Sequence, residues 1–155
     1  MKREKVTIGR MEYVWLVATN QKKIPARIDT GARTTAIWAS SIKETDGVLT
    51  WKFFAPKSEF FTGETFQTNK FEKRVVMSST GHQETRYLTQ LVLQIKNRRV
   101  RTFATLANRA HSTFPILIGR NTLAGKFLVD VQYSTRKLSE LDHENFEKLQ
   151  KGERQ

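Results

Sequence analysis

The sequence predicts an all-β fold, a barrel or a sandwich, built as one domain. Three observations point there. Short runs of β-branched and aromatic residues recur along the chain, separated by turn residues about every ten positions. The length of 155 residues suits a single core. Ten Phe, three Trp and three Tyr supply large buried areas, although the apolar fraction is only 38%.

Residues 6–10 and 13–17 read as the first strands. Residues 24–28 alternate inward and outward positions, and the chain then turns at Asp29-Thr30-Gly31. Residues 34–38 form the next predicted strand. Asp46-Gly47 is a hairpin signal between Ile42 and the run 48–54. Pro56 and Gly63 punctuate a polar, Phe-containing stretch expected to be a loop or a long hairpin. The pattern resumes from Phe71, with Arg74-Val75-Val76-Met77 preceding a turn through Ser78-Ser79-Thr80-Gly81, and continues over 84–95. Asn97-Arg98-Arg99 reads as a hairpin tip with its return strand at 100–106. Residues 115–118 are a fully apolar strand ending at Gly119, followed by one helical turn over 121–124 and a last strand over 127–131. Leu138, Leu141, Phe146 and Leu149 fall near helical spacing, with Ser134 or Ser139 as caps. The expected division is a barrel domain over 1–136 and a helical, partly disordered tail over 137–155.

Composition narrows the chemistry. There is no cysteine, so disulfide frameworks and thiolate metal sites are excluded. The charged start of the chain is not followed by an apolar segment, and no run approaches the ~18 apolar residues of a membrane span. The expectation is a cytoplasmic protein with no membrane partner. A formal charge of +12 attracts polyanions without selecting among nucleic acid, acidic surfaces and acidic polypeptides.

The Asp29-Thr30-Gly31-Ala32 segment places a carboxylate at the end of an apolar strand. A carboxylate there can activate water, Thr30 can hydrogen-bond across an interface, and Gly31 lets the backbone amide approach the acid. The competing reading is an Asx-turn in which Asp29 caps its own backbone. A second segment, Phe114-Pro115-Ile116-Leu117-Ile118-Gly119-Arg120-Asn121-Thr122, is an apolar strand, a glycine, and the start of a helix. In retroviral-type proteases a strand of this kind passes beneath the catalytic loop, and the glycine lets two backbones pass closely.

With both segments present, the chain resembles the retropepsin-like family to which the label ATP-dependent zinc protease is attached. The shared stretches are Ile8-Gly-Arg10, Ile28-Asp-Thr-Gly-Ala-Arg-Thr34, Arg74-Val-Val76, Gly81-His82, Glu84-Thr-Arg-Tyr87, Phe114-Pro-Ile-Leu-Ile-Gly-Arg120 and Gly125-Lys-Phe-Leu-Val-Asp130. The resemblance implies a closed acid-protease barrel, with a short helix after the Gly119 strand and a C-terminal helix. Ala110-His111 departs from relatives, which tend to carry acids there. The zinc and ATP of the label find no counterpart: there is no His-Glu-x-x-His and no phosphate-binding Gly-rich loop. The three histidines, His82, His111 and His143, lack ligand spacing. The expectation is no metal and no cofactor.

The resemblance further implies an aspartic endopeptidase working as a homodimer. Each subunit would supply one catalytic Asp29, supported by Thr30, Gly31 and Ala32, and the pair would share one proton. Retroviral enzymes usually carry an acid two positions beyond the glycine, paired with the arginine that follows the second glycine. Here that position is Arg33, so Arg120 loses its usual partner. Arg33, Arg74, Arg86 and Arg120, with His82, are therefore the expected substrate-binding residues, favouring acidic or glutamate-rich peptides. Relatives are associated with ligases that add glutamate to proteins, which points the same way. The alternative for Arg33 is a structural pairing with Asp130 or Glu84. The rival for the whole chain is a non-catalytic basic barrel binding RNA or a ribosomal surface, with Trp51, Phe53 and Phe60 stacking bases beside Lys52 and Lys57. Nucleic acid is the less favoured partner, since no RNA-binding signature is present. The flap over the cleft falls either at 57–66 or at 78–84.

Overall fold

The computed structural model describes residues 3–19, 22–77 and 80–133. Eleven strands and one short helix occur among them. The strands are β1 (Val6–Ile8), β2 (Met11–Leu16), β3 (Lys23–Ile28), β4 (Thr35–Thr45), β5 (Val48–Phe53) and β6 (Thr65–Thr68). They continue with β7 (Phe71–Met77), β8 (Gln83–Ile95), β9 (Arg98–Ala107), β10 (Ile116–Ile118) and β11 (Phe127–Val129). The helix α1 (Arg120–Leu123) lies between the last two. The predicted tail helix over 138–150 lies outside the described residues.

The architecture is a closed barrel of the retropepsin-like kind. Its ring runs β10-β3-β2-β8-β9-β4 and closes because β10 pairs with both β3 and β4. β10 is parallel to β3, with Ile116, Leu117 and Ile118 opposite Ala26, Arg27 and Ile28. It is antiparallel to β4, with Ile116 opposite Ile37. A strand from late in the chain thus fills the slot between two early ones. β5 and β6 extend outward from β4, β7 pairs with β8, and β1 pairs in parallel with β11 to form a separate two-stranded sheet.

Period-two alternation explains the closure. Val14, Leu16, Ile24, Ala26, Ile37, Leu93, Ile95, Val100, Ala104, Ile116 and Ile118 all point inward and are nearly inaccessible. Full burial of each large aliphatic side chain contributes about 1.5–3 kcal/mol. The Asp46-Gly47 turn is as expected. Both residues have positive φ, 50° and 77°, which matches a two-residue hairpin of the primed type. β4 runs further than the predicted 34–38 because a bulge between Ser40 and Lys43, with Ser41 at φ 52°, lets it continue into that hairpin. The last strand is shorter than 127–131, and a turn begins at Asp130.

The two flap alternatives differ sharply. Phe60, Phe61 and Phe66 of the 57–66 stretch pack against the core. The ring of Phe66 lies 4.8 Å from that of Phe53, and Phe60 lies 5.6 Å from Phe54. By contrast β7 pairs only with β8, and most of β7 and the start of β8 are exposed. Val75 and Met77 are 62% and 66% exposed. The β7–β8 hairpin is therefore the projecting element.

Candidate active site

The Asp29 loop is fixed from three sides. β3–β10 pairing carries one residue past the strand, since the Asp29 N–H donates to Ile118 O at 2.9 Å. The Ala32 N–H donates to Asp29 O at 3.2 Å and closes the turn. The chain entering α1 then holds the far side: Arg120 N–H donates to Ala32 O at 2.8 Å, and Asn121 N–H to Arg33 O at 3.1 Å. These bonds join the two segments that the sequence singled out.

The Asp29 carboxylate is half-buried, and its Oδ1 accepts the Gly31 N–H at 3.0 Å. An Asx-type turn is thus present, and it leaves the acid open to solvent. The turn and catalytic readings are compatible, because one oxygen is held while the other is left for chemistry. Glycine suits this closeness: a Cβ at position 31 would lie 3.2 Å from Oδ1, and the carboxylate would have to shift by a few tenths of an ångström. The Thr30 side chain is exposed and bonds to none of the described residues.

Gly119 answers a steric demand. A Cβ there would sit 2.6 Å from Thr34 C, 2.8 Å from Thr34 O and 2.9 Å from Thr34 N. Two backbones pass where no side chain fits, as expected for this glycine.

Beneath the loop lies a ring of hydroxyls that sequence reading missed. Asn121 Nδ2 donates to Thr102 Oγ1 at 3.3 Å, and Thr102 Oγ1 lies 2.7 Å from Thr122 Oγ1. Thr122 Oγ1 contacts Thr35 Oγ1, which donates to Asn121 Oδ1 at 3.1 Å. One proton assignment satisfies the whole circuit: Asn121 to Thr102, to Thr122, to Thr35, and back to Asn121. Thr35 Oγ1 also accepts the Gly119 N–H at 3.0 Å, tying the ring to the crossing point. Closed circuits of this kind reinforce themselves in a buried setting. Thr122→Val should break the circuit and cost about 1–3 kcal/mol, read as a lower denaturant midpoint at unchanged m-value.

The predicted substrate-binding residues separate into groups. The Arg33 side chain is exposed and makes no hydrogen bond or ion pair with the described residues. Its alternative partners are engaged elsewhere: Asp130 accepts from Gln132, and Glu84 faces Arg86 at 3.5 Å. Arg120 does not stand as a second free cation beside it. Its Nη1 donates to Thr30 O at 3.2 Å and Gly31 O at 3.0 Å, so backbone carbonyls replace the missing acid. Arg74 and Arg86 lie directly opposite each other on the β7–β8 hairpin. Each also pairs along its own strand, Arg74 with Glu72 at 3.0 Å and Arg86 with Glu84. His82 is exposed near the hairpin turn.

Arg109 was not anticipated. It follows β9, and its Nε donates to Phe114 O at 3.0 Å. Burial and the nearby Arg27 lower its pKa, while Asp29 opposes the shift. Arg109 therefore adds positive potential near the Asp29 carboxylate. The adjacent Ala110-His111 pair is exposed.

The residues expected to stack bases in the RNA-binding rival are core residues. Trp51 and Phe53 are each 4% exposed, with ring centroids 5.7 Å apart. Phe60 packs against the same cluster. That stacking surface does not exist. Among the described residues, no group of three or more His, Asp or Glu side chains could hold a metal ion. None of their helices is long and apolar enough to cross a membrane.

Comparison with known proteins agrees with this geometry. A crystal structure of a Legionella pneumophila protein of unknown function superposes with a TM-score of 0.65 at 21% identity, covering 86% of this chain and all of that one. Curated relatives named "Probable alpha-L-glutamate ligase" are 28% identical over 134 residues in Shewanella pealeana and 27% identical over 130 residues in Desulfotalea psychrophila. These matches cover 84% and 81% of this chain but only 29% and 28% of the relatives' own length. The family described as "Retropepsin-like aspartic endopeptidase RimB" matches over residues 7–140. The chain belongs to this RimB-like, retropepsin-like aspartic endopeptidase family.

Proposed function

We propose that the protein is an aspartic endopeptidase that works as a C2 homodimer and cleaves acidic, glutamate-rich polypeptides. The observation that carries this reading is the Asp29 loop, where a half-buried carboxylate is held at one oxygen by Gly31 N–H on a loop locked by β10 and α1. One chain supplies one such carboxylate, and a twofold axis would supply its mate. Two facing carboxylates cannot easily both ionise, so the pair holds one proton. The ionised member takes a proton from water as it attacks the scissile carbonyl, and the protonated member donates to the carbonyl oxygen. No acyl-enzyme forms, and the best rate lies on the acid side of neutrality. The β7–β8 hairpin is the flap of this reading, and the unengaged Thr30 hydroxyl bonds across the axis.

Substrate preference rests on charge. Arg33 is an unpaired guanidinium four residues after Asp29, Arg109 adds to the field, and the whole chain carries +12. Guanidinium groups bind carboxylates in a bidentate manner. The relatives' names, which speak of glutamate ligation, support a substrate of the same chemistry. Peptides with glutamate-rich tails should be cut about tenfold faster than neutral ones at low salt, with the advantage shrinking as salt rises. Arg33→Glu should remove most of that preference. The measurement is fragment masses over time; equal rates on both peptides across the salt range would remove the acidic-substrate assignment.

A further inference from the structure

The outer face of β2, β8 and β9 carries a second kind of chemistry. Alternation sends Val14, Leu93, Val100 and Thr102 into the core, so their neighbours point outward. Strand register sets these outward residues in three rows. Trp15 stands opposite Gln94, which stands opposite Arg99. Val92 pairs with Arg101 in the next row, and Gln90 with Phe103 in the third.

Rings and cations alternate across this face. Phe103 is 42% exposed, unusual for a ring on a barrel wall, and Trp15 is half-buried. The Lys23 ammonium lies over the Trp15 ring, 4.5 Å from its centroid, on a side chain only 4% exposed, so it backs the ring and is not itself presented to a ligand. Arg99 Nε donates to Gln94 Oε1 at 3.2 Å, and the Arg101 side chain has no hydrogen bond or ion pair with the described residues. None of the outward positions in these rows is an acid. Glu12 of β2 belongs to the other face and accepts the Gly9 N–H at 2.8 Å. Glu84 of β8 lies out along the flap hairpin, facing Arg86.

We propose that this face binds single-stranded RNA. Bases stack on Phe103 and Trp15, phosphates meet Arg99 and Arg101, and the amide of Gln90 reaches base edges or 2′-hydroxyls, while Gln94, which accepts from Arg99 and donates to Lys96 O at 3.2 Å, holds Arg99 in place. Rows two residues apart on a strand are separated by about 7 Å and neighbouring strands by about 4.8 Å, so Trp15 and Phe103 lie about 17 Å apart. An extended strand of a few nucleotides covers that distance. The occupant follows from complementarity. On a chain of charge +12, the rows of this face present cations without carboxylates, which selects a polyanion, and the rings select one with stackable bases. An acidic peptide offers nothing to the rings, and a duplex keeps its bases inside. The Phe103 carbonyl accepts from Asn121 Nδ2 at 2.7 Å, so the β9 edge of this face adjoins α1, but binding here uses no group of the Asp29 loop and does not depend on peptidase activity.

Fluorescence anisotropy with a labelled single-stranded RNA of about ten nucleotides tests the assignment. The full chain and its Asp29→Asn form should bind equally. Phe103→Ala should weaken binding about tenfold, Phe103→Trp should retain it, and Arg101→Gln should lower the salt slope by about 0.7. Both Phe103 and Arg101 are exposed, so unchanged melting temperatures accompany these effects. DNA of the same sequence should bind more weakly. The proposal is overturned if Phe103→Ala leaves RNA affinity unchanged, if the DNA binds as tightly, or if a poly-glutamate peptide of equal charge displaces the RNA as well as RNA does.

Discussion

Asp29→Asn is expected to lower peptide-bond cleavage at least about a thousandfold while leaving the melting temperature close to that of the parent. The amide keeps the acceptor oxygen that Gly31 N–H uses, so the loop geometry survives. What disappears is the exchangeable proton and the negative charge that would draw a proton from water. Mixing the variant with the parent chain carries the test further. If each site needs one Asp29 from each of two chains, activity falls with the square of the parent fraction as subunits exchange. A fall merely proportional to the parent fraction means that each chain works alone, which removes the dimer and leaves the peptidase assignment standing. Full activity in the pure variant removes both.

Gly119→Ala is expected to have the largest effect on stability of any single methyl addition considered. Its φ of −94° is ordinary for any residue, so the cost is steric and not conformational. The added carbon meets three backbone atoms of Thr34, and backbone cannot rotate aside as a side chain would. The strand crossing must open, pulling on Gly119 N–H to Thr35 Oγ1 and on Arg120 N–H to Ala32 O. A cost of about 3 kcal/mol or more follows, equivalent to a drop of about 6–12 °C in melting temperature for a domain of this size. Calorimetry reads it directly, and an unchanged transition would mean that the two backbones do not cross this closely. If the proposed peptidase reading holds, activity should fall as well, since Thr34 follows the Asp29 loop.

The features legible from sequence are those encoded within a few consecutive residues. Asp29-Thr30-Gly31 demands a tight turn, Asp46-Gly47 demands positive φ at both residues, and Gly119 followed by Arg120-Asn121 demands a crossing and a helix start. Each is local backbone chemistry, visible in a short string. The hydroxyl circuit was not legible, because Thr35, Thr102 and Thr122 are far apart in sequence and threonine in strands is commonplace. Arg109 was hidden for the same reason: its approach to Asp29 is set by a loop after β9, and nothing nearby marks it. Arg120 illustrates a different gap. Sequence showed that its usual acidic partner is absent, but only coordinates show the guanidinium turning to the Thr30 and Gly31 carbonyls. The aromatic run around Trp51 and Phe60 was ambiguous because a ring in a polar stretch serves equally as a core filler or as an exposed platform. Burial decided it.

The placement of β10 has a consequence for how the protein is made. β3 and β4 leave the ribosome early, yet the gap between them stays open until residues 116–118 emerge. Before then the Asp29 turn lacks the carbonyl of Ile118 that anchors it, and two strand edges remain without partners. Formation of the Asp29 loop therefore waits on residues 116–118, so a translation product interrupted before them carries the acidic residue without the frame that holds it.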